Sequence, residues 1–321
     1  MATNEQKELA QQIADEETAN EQRRIQYYRS LKYAYSPLDF DEYITLTERP
    51  LYPQPTKRSV YRDLRFSLLD RFRSLFDATT KDKIEKQVQR ELEKQEKDYR
   101  VLLKKRNTRI QNRHAALING DPNEIIKFVQ TSIENNPFVL GYTSQTFYQQ
   151  FDLRLHCSAQ TLVIDYDLPT SSEIPKTGSW KPEPKSGRAV QVPMKQTDFL
   201  ALYETLLFDI ALRIVGIAYR SYQHIHISSI IFNGYLSYED KRFGKTGRSC
   251  ILSVNIPRSQ FDKIEDMNKC VSKFFFSACE KAVYLGKLNS ETPAKGLDTC
   301  PPGDVIPLQP ENAIQHSETP T

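Results

Sequence analysis

Residues 197 to 222 carry apolar side chains at Phe199, Leu202, Tyr203, Leu206, Leu207, Ile210, Leu212, Ile214, Val215 and Ile217. Recurrence at three and four residues predicts a helix. Its second half is apolar on almost every side, so protein must surround it. Glu204, Asp209 and Arg213 interrupt the run, which argues against a membrane span. Residues 225 to 236 follow, where Ile230, Ile231 and Phe232 predict a strand covered on both faces. Residues 249 to 256 read as its partner. One buried helix followed by two strands therefore sets the core.

A hairpin is expected upstream of that helix. Phe151, Leu153, Leu155 and Cys157 alternate with Asp152, Arg154 and His156; Leu162, Ile164, Tyr166 and Leu168 alternate with Val163, Asp165 and Asp167. Pairing about Ala159 and Gln160 puts the eight apolar residues on one face and sets Arg154 opposite Asp165. A slip by one residue would invert every side chain. Pro169 closes the second strand, and the Pro-, Ser-, Gly- and Lys-rich residues 169 to 196 read as a loop around Trp180.

Before the hairpin the chain is helical and charged. Residues 1 to 35 hint at a helix with a thin seam through Leu9, Ile13, Ile25 and Tyr28. Pro37, Pro50, Pro53 and Pro55 make residues 36 to 58 an extended connector. Residues 60 to 76 resume helical spacing. A longer helix is expected from about residue 81 to 118, with a narrow, heptad-like stripe through Ile84, Val88, Leu92, Tyr99, Leu102, Leu103, Ile110 and Leu117. That pattern suits a coiled-coil arm or helical hairpin. Gly120 can stop it, Asp121 can cap the next helix, Pro122 fits its first position and Glu124 completes a capping box. The fold expected is thus α+β: a helical arm, then a domain with an antiparallel or mixed sheet packed on a buried helix. Its segments are 1–58 (helix and connector), 59–119 (arm), 120–310 (α+β domain) and 311–321 (disordered tail).

No catalytic signature of comparable strength is present. Asp165 and Asp167, two apart on a strand, point the same way, as a metal site would need; an ion pair of Arg154 with Asp165 is the simpler reading. Gly244, Lys245 and Thr246 resemble the end of a phosphate-binding loop, but Glu239 stands where that loop needs glycine, so a hairpin turn is expected. His224 and His226 share a strand face without a visible third ligand. The five cysteines, Cys157, Cys250, Cys270, Cys279 and Cys300, form no CxxC pair, which disfavours a disulfide framework or zinc ribbon. The polar first 14 residues carry no apolar leader. A cytoplasmic protein without a membrane span and with no cofactor is expected.

Net charge is only +3, so any basic signal must come from clustering. From residue 99 to 120 no acidic side chain occurs, while Arg100, Lys104, Lys105, Arg106, Arg109 and Arg113 do. Such a cluster either contacts phosphates, releasing their counterions, or forms a solvated helix face.

A further set of strings has a familiar order: the stretch from Phe66 to Phe76 before a charged helix, Gly120 to Glu124, Leu162 to Pro169, Ile231 to Leu236, Arg248 to Val254, Arg258 to Phe261, and Val305 to Pro310. The chain resembles, over residues 66 to 310, the non-catalytic N-terminal region of bacterial Mrr-type restriction endonucleases. In those proteins a PD-(D/E)xK catalytic domain follows the last string, so the resemblance implies that the cutting machinery lies on another polypeptide. It implies a DNA-associated interaction module of a restriction or antiphage defence system, partnered by DNA, by a separate nuclease and by further copies of itself. Two alternatives stand beside it. One is a divergent Mg²⁺-dependent nuclease using Asp165 and Asp167, with Glu173 and Lys176. The other is an oligomerisation scaffold.

Overall fold

The computed structural model of the protein describes residues 3–48, 50–67, 77–140, 147, 149–156, 160–183, 185–221, 227–240, 245–279 and 281–284, with backbone alone at 238–240, 245–246 and 281–284. The elements in chain order are α1 (Asn4–Ser30), α2 (Phe40–Thr47), α3 (Lys57–Asp63), α4 (Ala78–Ile118), α5 (Pro122–Glu134), β1 (Phe151–His156), β2 (Thr161–Asp167), β3 (Thr177–Glu183), β4 (Arg188–Pro193), α6 (Gln196–Arg220), β5 (Ser229–Asp240), β6 (Lys245–Pro257), α7 (Arg258–Phe261), α8 (Ser272–Ser277) and β7 (Lys281–Tyr284). The fold is α+β. Two compact units result: Met1–Asp39 with Gly120–Thr321, and Phe40–Asn119. No described helix is long and apolar enough to cross a membrane.

The first unit is built on a sheet of order β1-β2-β5-β6-β7. Neighbours run antiparallel except β2 and β5, which are parallel. A parallel join needs a crossover, and here it contains the β3–β4 hairpin and α6. One face of the sheet buries Leu153, Leu155, Leu162, Ile164, Tyr166, Ile230, Phe232, Val254 and Ile256. The Tyr219 hydroxyl of α6 donates to the Ile256 carbonyl of β6 at 2.6 Å. Almost every side chain of α6 from Leu206 to Tyr219 is buried, as its all-round apolar pattern requires.

Three local expectations need correction. First, Arg154 stands opposite Val163, and Asp152 opposite Asp165. The register is two residues from the expected one; an even slip keeps each face intact, and Arg154 reaches Asp165 diagonally. Second, residues 169 to 196 are no plain loop: β3 and β4 form a separate antiparallel hairpin against α1. Prolines are tolerated on strands with a free edge, and the Thr18 hydroxyl of α1 accepts from the Trp180 amide at 2.9 Å. Third, the proline-rich connector contains α2, fitted between Pro37 and Pro50. His224, His226, Cys157, Cys300 and Gly244 lie outside the described residues, while Lys245 and Thr246 open β6 instead of forming a turn.

Two charged side chains are sunk in α6. Arg213 is 2 % exposed and donates to the carbonyls of Leu31 (2.9 Å), Ala34 and Asn136 (3.1 Å). It therefore caps the ends of α1 and α5, where helix carbonyls lack partners. Gly216 faces the Tyr35 ring so closely that a Cβ there would clash with the phenol oxygen. Asp209 accepts from the Ser272 hydroxyl, and Lys32 donates to the Cys270 carbonyl at 2.6 Å, so α8 is tied to α6 and to the residues after α1.

Burial is the main cause of a raised Asp209 pKa, opposed by Ser272 and Lys32. The folded state thus holds this proton more tightly than the unfolded chain. Stability linked to Asp209 is greatest below the ordinary carboxylate range and is lost as pH rises through the raised value. Asp209→Asn, which keeps an acceptor for Ser272, should flatten this dependence. Urea midpoints between pH 4 and 7 compare the two proteins.

In the second unit Asp77 caps α4, accepting from the Thr79 amide at 3.0 Å, so Thr79 and Thr80 open the helix rather than precede it. Val60, Ile84, Val88 and Leu92 join α3 to α4, with Tyr61, Leu64 and Phe66 packed around them. The residues 68–76 of the expected upstream helix lie outside the described ones. Gly120, at φ +78°, follows the end of α4 in the left-handed conformation that glycine adopts freely.

Candidate functional site

The opposite face of the sheet carries a cross-linked polar row beside Val163 and Ile231. Arg154 on β1 pairs with Asp165 on β2. The Asn233 amide on β5 donates to Asp165 Oδ1 at 2.7 Å, and Ser253 Oγ on β6 donates to Asn233 Oδ1 at 2.8 Å. Strand alternation produces this row, since all four side chains point away from the buried face. Asp167 accepts from Arg248 Nε at 2.6 Å, and the Arg248 guanidinium lies 4.0 Å from the centre of the Tyr235 ring.

Each carboxylate of the candidate metal pair is thus held by its own arginine. Glu173 is engaged elsewhere, accepting from the Thr170 amide at 2.6 Å, and Lys176 sits 5.2 Å from the Phe199 ring centre. The four residues of the nuclease alternative are not brought together. Among the described residues, no group of three or more His, Cys, Asp or Glu is placed to hold a metal ion.

The second region is α4. At about 100° per residue, Tyr99, Leu103, Arg106, Ile110, Arg113 and Leu117 fall on one side, and all are half-buried or buried. Val101, Lys104, Lys105, Thr108 and Asn112 fall on the other, and all are exposed. Leu102, counted in the expected stripe, is 51 % exposed. The six candidate cations therefore do not form one stripe. Arg113 Nη1 donates to Glu48 Oε1 at 3.2 Å and to Thr47 Oγ1 at 2.9 Å, and its guanidinium lies 4.6 Å from the Tyr43 ring centre. Arg109 grips Glu48 through Nε (3.0 Å) and Nη2 (2.6 Å), with 60 % of its side chain still exposed. Hydrogen bonding from Arg109, more than Arg113, holds the Glu48 carboxyl below its ordinary pKa against the opposing effect of burial. Arg106 is half-buried. Arg100 sits 3.7 Å from Glu96. Lys104 and Lys105 are exposed and make no ion pair among the described residues.

Sequence reasoning missed Glu48, which gathers the two arginines. It closes α2, whose short apolar run through Tyr43 and Ile44 was the available signal, obscured by the flanking prolines. The partition of charge also follows only from the structural division. Residues 40–119 carry 19 Lys and Arg against 12 Asp and Glu, a net of +7, leaving −4 for the remainder of a +3 chain. No protein-family model, curated protein or solved structure matches the chain.

Proposed function

We propose that the chain is a non-catalytic, nucleic-acid-associated module of a bacterial restriction or antiphage defence system, working with a nuclease carried on another polypeptide. The partition of charge supports this most directly: the unit holding α4 is at +7, and its Lys104 and Lys105 face solvent on an acid-free stretch. Pairing of Asp165 with Arg154 and of Asp167 with Arg248 supports the non-catalytic half. The defence role rests on the ordered resemblance to the Mrr-type region.

Fluorescence anisotropy of the full chain with a labelled DNA duplex tests the reading. Binding at 50 mM salt should weaken steeply toward 200 mM, at a slope of about −0.9 per phosphate neutralised. Lys104→Glu with Lys105→Glu should cost at least ~10-fold in affinity at 50 mM and flatten the slope by about two. Absence of binding by the wild type, or an unchanged slope in the variant, defeats the nucleic-acid half. Mg²⁺-dependent cleavage by this chain, abolished by Asp165→Asn, defeats the non-catalytic half.

A further inference from the structure

Resting on that reading, we infer that α4 lies along the major groove of duplex DNA, with Thr108 and Asn112 against base edges and Lys104 and Arg109 on the phosphate walls. The first support is the division of the helix into a covered back and an open front. Tyr99, Leu103, Ile110 and Leu117 mark the back, while Val101, Lys104, Lys105, Thr108 and Asn112 mark the front. The helix is anchored from behind and offers a bare cylinder face about 10 Å across, which a major groove about 12 Å wide accepts.

The order of side chains across that face is the second support. Val101, Thr108 and Asn112 run along its middle, and Lys104 and Arg109 stand on opposite flanks, about 140° apart around the axis. Together with Lys105 they line one shallow groove along the helix. Cations therefore stand where the two phosphate backbones would pass, and a hydroxyl and an amide stand between them. Asn can bond both N6 and N7 of adenine, and Thr can meet a base edge or the thymine methyl. Arg109 uses Nε and Nη2 on Glu48, so its Nη1 is not part of that pair. From Val101 to Asn112 the helix advances about 16 Å, the span of roughly five base pairs.

The same face disfavours other polyanions. It carries no aromatic ring to stack an unpaired base, since Tyr99 is on the covered side. The major groove of duplex RNA is too narrow for side chains to read. Val101, with Leu102 beside Arg109, supplies too little apolar area for a lipid surface.

The test uses the full chain and a selected duplex, obtained by enriching bound molecules from a random-sequence 20-mer pool. Wild-type protein should yield an enriched sequence and bind it at least ~10-fold more tightly than the matching RNA duplex or single strand. Replacing adenine by 7-deazaadenine, which removes only the N7 acceptor, should weaken binding about 10-fold. Thr108→Ala with Asn112→Ala should erase the preference for the selected sequence yet keep the salt slope and the affinity for unselected DNA. Both positions are exposed, and circular dichroism confirms an unchanged fold. If the protein binds DNA but yields no enriched sequence, or binds it indifferently to 7-deazaadenine and to the double variant, the groove placement is wrong while the module reading stands. If it binds no nucleic acid, both fall.

Discussion

Arg213→Met will lower the stability of the first unit by about 3–5 kcal/mol, because it takes the donors away from the buried carbonyls that the guanidinium bonds. The guanidinium bonds carbonyls from Leu31, Ala34 and Asn136, three points far apart in sequence. Methionine matches much of its volume but supplies no donor. Each buried carbonyl left without a partner costs about 1–3 kcal/mol, and burial limits the water that could replace the lost bonds. Desolvation pushes the Arg213 pKa down, opposed by the nearby Tyr27, Tyr166 and Tyr35. The three carbonyls at the ends of α1 and α5 hold the guanidinium in place. Arg213→Lys should fall between wild type and Met, because a single ammonium cannot span three separated acceptors. Urea denaturation followed by circular dichroism should show the Met midpoint lower by more than about 1 M. A shift within error would mean that the caps are redundant.

Glu48→Ala should destabilise the second unit by about 3 kcal/mol, since it leaves Arg113 without its carboxylate in a mostly buried position. The Arg113 side chain is 13 % exposed and Glu48 7 %. The depressed Glu48 pKa gives the sign of the pH response. Its contribution is fully present above the ordinary carboxylate value and is lost as pH falls through the lower, folded one. The variant should lack that acid-limb loss. It should also release Arg109 on the open side of α4, so DNA affinity at low salt should rise while stability falls. Thermal unfolding from pH 3 to 7 checks the first claim and anisotropy the second. Loss of both stability and binding would show that α4 needs Glu48 to hold its shape.

The elements that could be read from residue order are those whose information is local. The α6 helix repeats apolar residues densely enough to be recognised, and Asp121 with Pro122 marks the start of α5 by cap chemistry. In the β1–β2 hairpin, alternation identified both faces, but alternation has period two and cannot separate registers two residues apart. Observed pairing of Leu153 with Ile164 therefore differs from the expected pairing of Leu155 with Ile164. The apolar run from Ile230 to Phe232 marks β5 as an interior strand, but nothing local says that β2 lies beside it in parallel. The β3–β4 hairpin was hidden by its prolines, which mark a loop unless tertiary contact, here with α1, holds them extended.

The candidate site divides in the same way. The cations of α4 were visible as a run lacking acids. Which of them face outward was not, because Glu48 lies 61 residues before Arg109. A partner that distant has no signature in the helix it neutralises. The Arg154–Asp165 pair was anticipated from short range; the extension through Asn233 and Ser253 depends on which strands become neighbours.

The parallel seam at the middle of the sheet bears on the sequence of assembly. The β1–β2 and β5–β6 hairpins each close over few residues, yet Thr161 and Ser229 at the seam are 68 apart in the chain. Joining them must wait for a long loop to close, and contacts of high sequence separation slow folding. Without that join β2 and β5 would each be a bare edge able to recruit the wrong strand. The join between β2 and β5 is therefore the step at which this chain is most exposed to misassembly, and the greasiest helix in the sequence is what brings the halves together.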